Sequence, residues 1–87
     1  MYKQIDFEEY ELDQIYKIEV IDWPNKGDHS SIIGSLTKLN SFRENQAVVF
    51  KILLIANNPR YQLGEEYGMD IEYRKQSKHF TTKVTKL

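Results

Sequence analysis

The residues able to do chemistry are few, and their spacing is loose. Asp28-His29-Ser30-Ser31 sets a carboxylate, an imidazole and two hydroxyls side by side, the ingredients of a hydrolytic site. Such a site works when nucleophile, base and orienting acid come within hydrogen-bond reach of one another, which neighbours on a loop rarely achieve, and no glycine-flanked elbow presents either serine. The run reads instead as an exposed loop in which Asp28 or a serine caps the next element. His79 is the only other histidine and the chain has no cysteine, so the closely spaced ligand pairs of a structural zinc site are missing. Gly27, Gly34, Gly64 and Gly68 match neither a Walker pattern nor GxGxxG. Glu65 and Glu66 are consecutive, and on a strand they point to opposite faces, so they do not pair for acid–base work. A small hydrolase or metal enzyme built on His29 or His79 is thus a remote alternative. The expectation is a protein that is not an enzyme and takes neither metal nor cofactor.

What remains is surface. The net charge is −1, but it is unevenly spread. Residues 1–28 hold eight acidic and three basic side chains, and residues 29–87 hold five acidic and nine basic. Asp6, Glu8, Glu9, Glu11 and Asp13 crowd the N-terminal segment between Phe7, Tyr10 and Leu12, whereas residues 73–87 carry Arg74, Lys75, Lys78, Lys83 and Lys86 and no acid. Arg74, Lys75, Lys78 and Lys83 beside Tyr73 and Phe80 could follow a phosphate backbone while rings stack on bases. The bland alternative is that lysines guard an edge strand. The acidic segment, with Glu8, Glu9 and Glu11, could meet a basic partner, or pair with the basic end within one molecule or in a second copy. Six tyrosines and Trp23 exceed what so small a core needs. Trp23, Tyr61 and Tyr67 are therefore protein-contact candidates, Tyr and Trp joining apolar area to one hydrogen-bonding group.

The elements that must position these residues read mainly as β. Only two alanines occur, while Ile, Val and Thr supply 17 residues, a composition suited to pleated, half-buried surfaces. Ile15 to Trp23 alternates at period two, and Trp23-Pro24-Asn25-Lys26-Gly27-Asp28 breaks the ladder into a loop. Ser30 to Leu39 fits either a helix or a strand, and Gly34 weakens both. Gln46 to Ala56 is expected as a strand, because Val48, Val49, Phe50, Ile52 and Ile55 lose χ1 freedom in a helix. A helix near 42–56 competes, with Ser41 and Glu44 as a capping box and Asn57 and Pro59 as a stop. Leu12 to Val20 and Leu63 to Ile71 echo each other, with Leu, then Tyr four later, then apolar, acidic and apolar residues. This supports a strand from Tyr67 to Arg74, paired as a final hairpin with Phe80 to Thr85.

Five to six short strands in 87 residues predict one small domain, either an OB-like barrel or a compact two-sheet sandwich, with an α+β arrangement as the alternative if 42–56 is helical. Tyr16-Lys17-Ile18-Glu19-Val20-Ile21-Asp22 followed by Lys26-Gly27-Asp28 resembles the opening of TRAM-type OB barrels, with His29 where such loops usually carry a second glycine. The longest apolar tract, Ala47 to Ala56, is broken by Lys51, so neither a membrane span nor a signal peptide is expected, and the setting expected is cytoplasmic. The function expected is a regulator, adaptor or inhibitor that binds a larger protein. A single-stranded nucleic acid is the alternative partner, and self-association through the oppositely charged ends a further expectation.

Overall fold

The computed structural model describes residues 5–22, 29–42, 45–78 and 80–87. A 3₁₀ turn at Phe7–Glu9 precedes β1 (Ile15–Asp22), β2 (His29–Phe42), β3 (Asn45–Ala56), β4 (Glu66–Asp70), the short helix α1 (Ile71–Gln76) and β5 (Phe80–Lys86). All ladders are antiparallel and join the strands into one sheet in the order β4-β3-β2-β1-β5. Four strands therefore run as a meander, and the fifth returns beside the first.

Burial follows the period of two that strands impose. Tyr16 and Ile18 of β1, Ile32 and Leu36 of β2, Val48, Phe50 and Ile52 of β3, Tyr67 and Met69 of β4, and Val84 of β5 form one buried cluster, with Lys17, Lys51 and Lys83 of the intervening positions on the opposite face. The sheet curls around these side chains, and the radius of gyration of 12.4 Å is close to the roughly 12 Å of a compact chain this long. Tyr10 and Ile71, from outside the strands, complete the core.

The strand expected over Gln46–Ala56 forms, and the competing helix near 42–56 does not. β3 occupies Asn45–Ala56, and its branched and aromatic residues pack better on a pleated surface than against a helical turn. The strand expected over Tyr67–Arg74 stops at Asp70, whose side chain accepts a 2.9 Å hydrogen bond from the Tyr73 N–H and so caps α1. The final hairpin is absent as well, because β4 and β5 lie at opposite edges of the sheet. One sheet replaces the two-sheet sandwich, and no ladder joins β4 to β5 among the described residues, so the barrel is not closed.

Two bulges bend the central pair. The register slips between Ile33 and Gly34, leaving Leu53 extra on β3, and again between Leu36 and Lys38, leaving Thr37 extra on β2. A bulge bends its strand and increases the local twist, which is what curls a sheet this narrow. Between the bulges Gly34 meets Phe50 so closely that a Cβ on it would lie 2.9 Å from the Phe50 Cβ and 3.0 Å from the Lys51 carbonyl oxygen.

The echo in the sequence has a structural counterpart. Asp13 and Gly64 both adopt left-handed backbone, at φ 67° and 86°. The Asp13 N–H donates to the Leu36 carbonyl while the Leu36 N–H donates to Gln14, and the Gly64 N–H donates to the Ile52 carbonyl while the Ile52 N–H donates to Glu65, all at 2.8–2.9 Å. Leu36 and Ile52 are also the residues that immediately precede the two bulges. The same turn, strand entry and bulge thus occur twice, related by an approximate twofold axis between β2 and β3. Among the described residues no helix is long and apolar enough to cross a membrane.

Candidate binding cleft

The repeat reaches further back than the leucines. Tyr10-Glu11-Leu12-Asp13-Gln14-Ile15-Tyr16 corresponds to Tyr61-Gln62-Leu63-Gly64-Glu65-Glu66-Tyr67, and in each heptad the first tyrosine packs on the last, with ring centroids 5.3 Å apart for Tyr10–Tyr16 and 5.1 Å for Tyr61–Tyr67. The two halves then diverge. Phe50 adds a third ring to the first pair, at 6.3 Å from Tyr10 and 5.8 Å from Tyr16, and that end of the curled sheet is filled. Its counterpart across the axis is Gly34, which has no side chain, and Tyr61 stays partly exposed.

At this second end lies a cleft of about 460 Å³, lined by Val20, Ser30, Tyr61, Tyr67, Arg74 and Phe80, together with His29 and the Asn57–Arg60 loop. Val20, Ser30, Tyr67 and Phe80 belong to the inward-facing set of their strands, so the cleft is the unfilled mouth of the sheet. Mouths of this kind are a preferred place for ligands, and the volume falls within the range of about 300–1,000 Å³ common to such sites.

Arg74 is its central group. α1 turns the chain between the two sheet edges, and from it the guanidinium donates 2.7 Å to the Tyr67 hydroxyl on β4 and 3.4 Å to Thr82 Oγ1 on β5. Its carbon lies 5.6 Å from the Tyr67 ring centroid and 5.1 Å from that of Phe80, within the range of cation–π attraction. Burial pushes the Tyr67 hydroxyl pKa above its ordinary value, and the Arg74 charge and hydrogen bond oppose that rise. At the rim, His29 Nε2 sits 3.1 Å from a Glu19 carboxylate oxygen. Asn57, in left-handed backbone at φ 56°, donates its amide to the His29 carbonyl at 2.8 Å.

Of the residues singled out in the sequence, Tyr61, Tyr67, Arg74 and Phe80 converge on the cleft, and His29 and Ser30 line it as well. The other described contact candidates do not. Tyr73 is exposed on α1 with its ring 6.0 Å from Phe80. Lys75 pairs with Asp6 at 3.1 Å and Lys86 with Glu11, so the acidic and basic ends meet within one molecule. Glu8 and Glu9 remain exposed on the 3₁₀ turn, Lys78 is exposed beyond α1, and Lys83 lies across from Glu19 on the outer face. Trp23, the 23–28 loop with Asp28, Glu44 and His79 lie outside the described residues.

Sequence reasoning missed Asn57, Asn58 and Arg60 as cleft residues. Asn57-Asn58-Pro59 was legible only as a turn, and nothing local shows which end of the sheet a turn borders. Among the described residues no three His, Asp or Glu side chains come together in a way that would hold a metal ion. The arrangement offers a fixed cation, open rings and amide and hydroxyl groups, which is equipment for holding a ligand. No protein-family model, curated protein or solved structure matches this chain.

Proposed function

We propose that the protein is a non-catalytic binding protein that engages a larger protein as a regulator, adaptor or inhibitor, with the cleft at the open end of the sheet as its contact site. The observation that supports this reading is the convergence of Arg74, Tyr61, Tyr67 and Phe80, from a helix, a loop and both sheet edges, on one cleft. Interfaces draw their energy from a few central aromatic and arginine residues set in pockets, ringed by polar groups, and the cleft has that composition. The test is retention of a partner from cell extract on immobilised wild type, Arg74→Glu and Tyr61→Ala protein at about 0.15 M salt, each first shown to be folded by circular dichroism. A protein kept by wild type and released by both variants supports the reading. The same proteins on all three forms would sink it.

A second reading is favoured by Tyr73, a residue 62% exposed whose ring stands 6.0 Å from that of Phe80, beside Arg74 in the sequence. Rings next to an arginine can stack successive bases of a single strand. Titration with fluorescent single-stranded DNA and RNA at about 50 and 200 mM salt tests it, since phosphate contacts weaken steeply across that interval.

A further inference from the structure

We propose that the cleft is a carboxylate site, taking one carboxylate of the partner protein, from an acidic side chain or a chain end, with an apolar or aromatic neighbour of that group lying against Tyr61 and Phe80. The proposal rests on the binding reading above and names what is bound.

Three observations carry it. Arg74 is half-buried and lines the cleft, yet none of the carboxylates whose side chains the structure describes lies within ion-pair distance of it, whereas Lys38, Lys75 and Lys86 each hold one. A guanidinium withdrawn from water is normally paired, and here only two hydroxyls and two ring faces attend it. Those hydroxyls use one donor from each terminal nitrogen. A guanidinium has five N–H donors in a planar fork that fits a carboxylate with two parallel bonds, so donors remain for an incoming oxyanion.

The second observation is the company Arg74 keeps. Tyr61 and Phe80 are partly exposed and Arg60 is exposed, all lining the same cleft. The site therefore holds two arginines, Arg74 half-buried and Arg60 exposed, beside apolar rings. The third is what surrounds it. A phosphate backbone is followed by several cations in a row, but Lys75 and Lys86 are engaged with Asp6 and Glu11, and Lys83 stands opposite Glu19 on the outer face. A single anion fits this distribution better than a chain of them.

The experiment is an NMR titration of the full chain, read at the Arg74 Nε–H and the Tyr61 and Phe80 ring signals. The probes are N-acetyl-Phe-Glu-amide, which carries a side-chain acid, N-acetyl-Gly-Phe with a free terminal carboxylate, N-acetyl-Phe-Gln-amide, which has no acid, and AMP. Saturable shifts from an acid-bearing peptide, at least tenfold weaker with the glutamine peptide, are expected, and whichever acid binds identifies the source of the carboxylate. Arg74→Gln should abolish the shifts at Tyr61 and Phe80. If that variant does not fold, Arg74→Lys keeps the charge without the fork and should weaken binding several-fold. Equal shifts from acid and glutamine peptides, or none up to about 10 mM, a limit below the affinity of any useful contact, overturn the proposal. Shifts from AMP alone also overturn it and assign the cleft to nucleic acid. A partner released by Arg74→Glu in the retention experiment, with no acid peptide bound, leaves the binding reading standing and removes only the carboxylate.

Discussion

The Tyr67 hydroxyl on β4 and Thr82 Oγ1 on β5 accept hydrogen bonds from the same guanidinium, that of Arg74, at 2.7 and 3.4 Å. These strands share no ladder and lie at opposite edges of the sheet. One side chain therefore ties edges that no backbone ladder joins among the described residues. Arg74→Met should leave the Tyr67 hydroxyl without that donor and cost about 1–3 kcal/mol, the range for stranding a buried polar group. Urea unfolding with an unchanged slope checks it. Wild-type stability in the variant would show that the tie contributes nothing.

Gly34 and Gly68 should respond to alanine with opposite signs. A Cβ at Gly34 meets the Phe50 Cβ at 2.9 Å, while one at Gly68 meets nothing within 4 Å. Gly34→Ala is expected to lose about 1–3 kcal/mol through overpacking, and Gly68→Ala to gain about 0.5–1 kcal/mol through reduced freedom of the unfolded chain. Because the obstruction at residue 50 is its Cβ, Phe50→Leu should not rescue Gly34→Ala. Rescue in the double variant would place the clash elsewhere.

Alkaline pH should weaken the fold from about pH 10 upward. The Tyr10 hydroxyl is buried and has no hydrogen-bond partner among the described residues. Burial, with smaller contributions from Tyr16 and Glu9, raises its pKa well above the ordinary 10.0, and burial raises that of Tyr67 as well. Above pH 10 the unfolded chain releases tyrosine protons that the folded chain retains, so stability falls as pH rises through that window. Tyr10→Phe removes the unpartnered oxygen and should gain about 1 kcal/mol near neutral pH while flattening the alkaline decline. Thermal melts at pH 7 and pH 10.5 compare the two forms, and identical declines would count against the assignment.

The paired turns at Asp13 and Gly64 should differ in tolerance. Both are left-handed, a conformation that costs an ordinary side chain about 1–2 kcal/mol and asparagine or aspartate less. Gly64→Ala is expected to lose about 1 kcal/mol and Gly64→Asp a smaller amount, because aspartate already serves at the corresponding position 13. Chemical denaturation of both variants measures this, and equal losses would argue against the equivalence of the turns.

Much of the sheet could be read from local pattern. Tyr16, Ile18 and Val20 alternate cleanly, and the branched residues of Val48 to Ile55 favoured a strand over a helix at the same place. Leu12 and Leu63 marked both turns. The failures were failures of range. Asp70 stops β4 by capping α1, but its apolar and acidic neighbours imitate a continuing strand. Nothing in Phe80 to Thr85 shows that it pairs with β1 instead of its nearer neighbour β4. Arg74 was singled out for its chemistry but expected on a strand instead of α1, and Phe80 was expected on the strand it occupies but beside the wrong neighbour, because the cleft exists only where distant edges approach. The charged ends were visible as opposites, and their meeting inside one molecule through Asp6–Lys75 and Glu11–Lys86 needed the fold.

The pairing of β1 with β5 also sets the order in which the molecule can form. β2 and β3 are separated by only two residues in the sequence and can zip together early, while Ile18 must wait for Val84, 66 positions later, and closing so long a segment is the slow event in chains of this kind. On the ribosome, β1 through β4 emerge first, with the edge of β1 that faces away from β2 open until β5 arrives. During that interval the nascent chain exposes that strand edge to any neighbour.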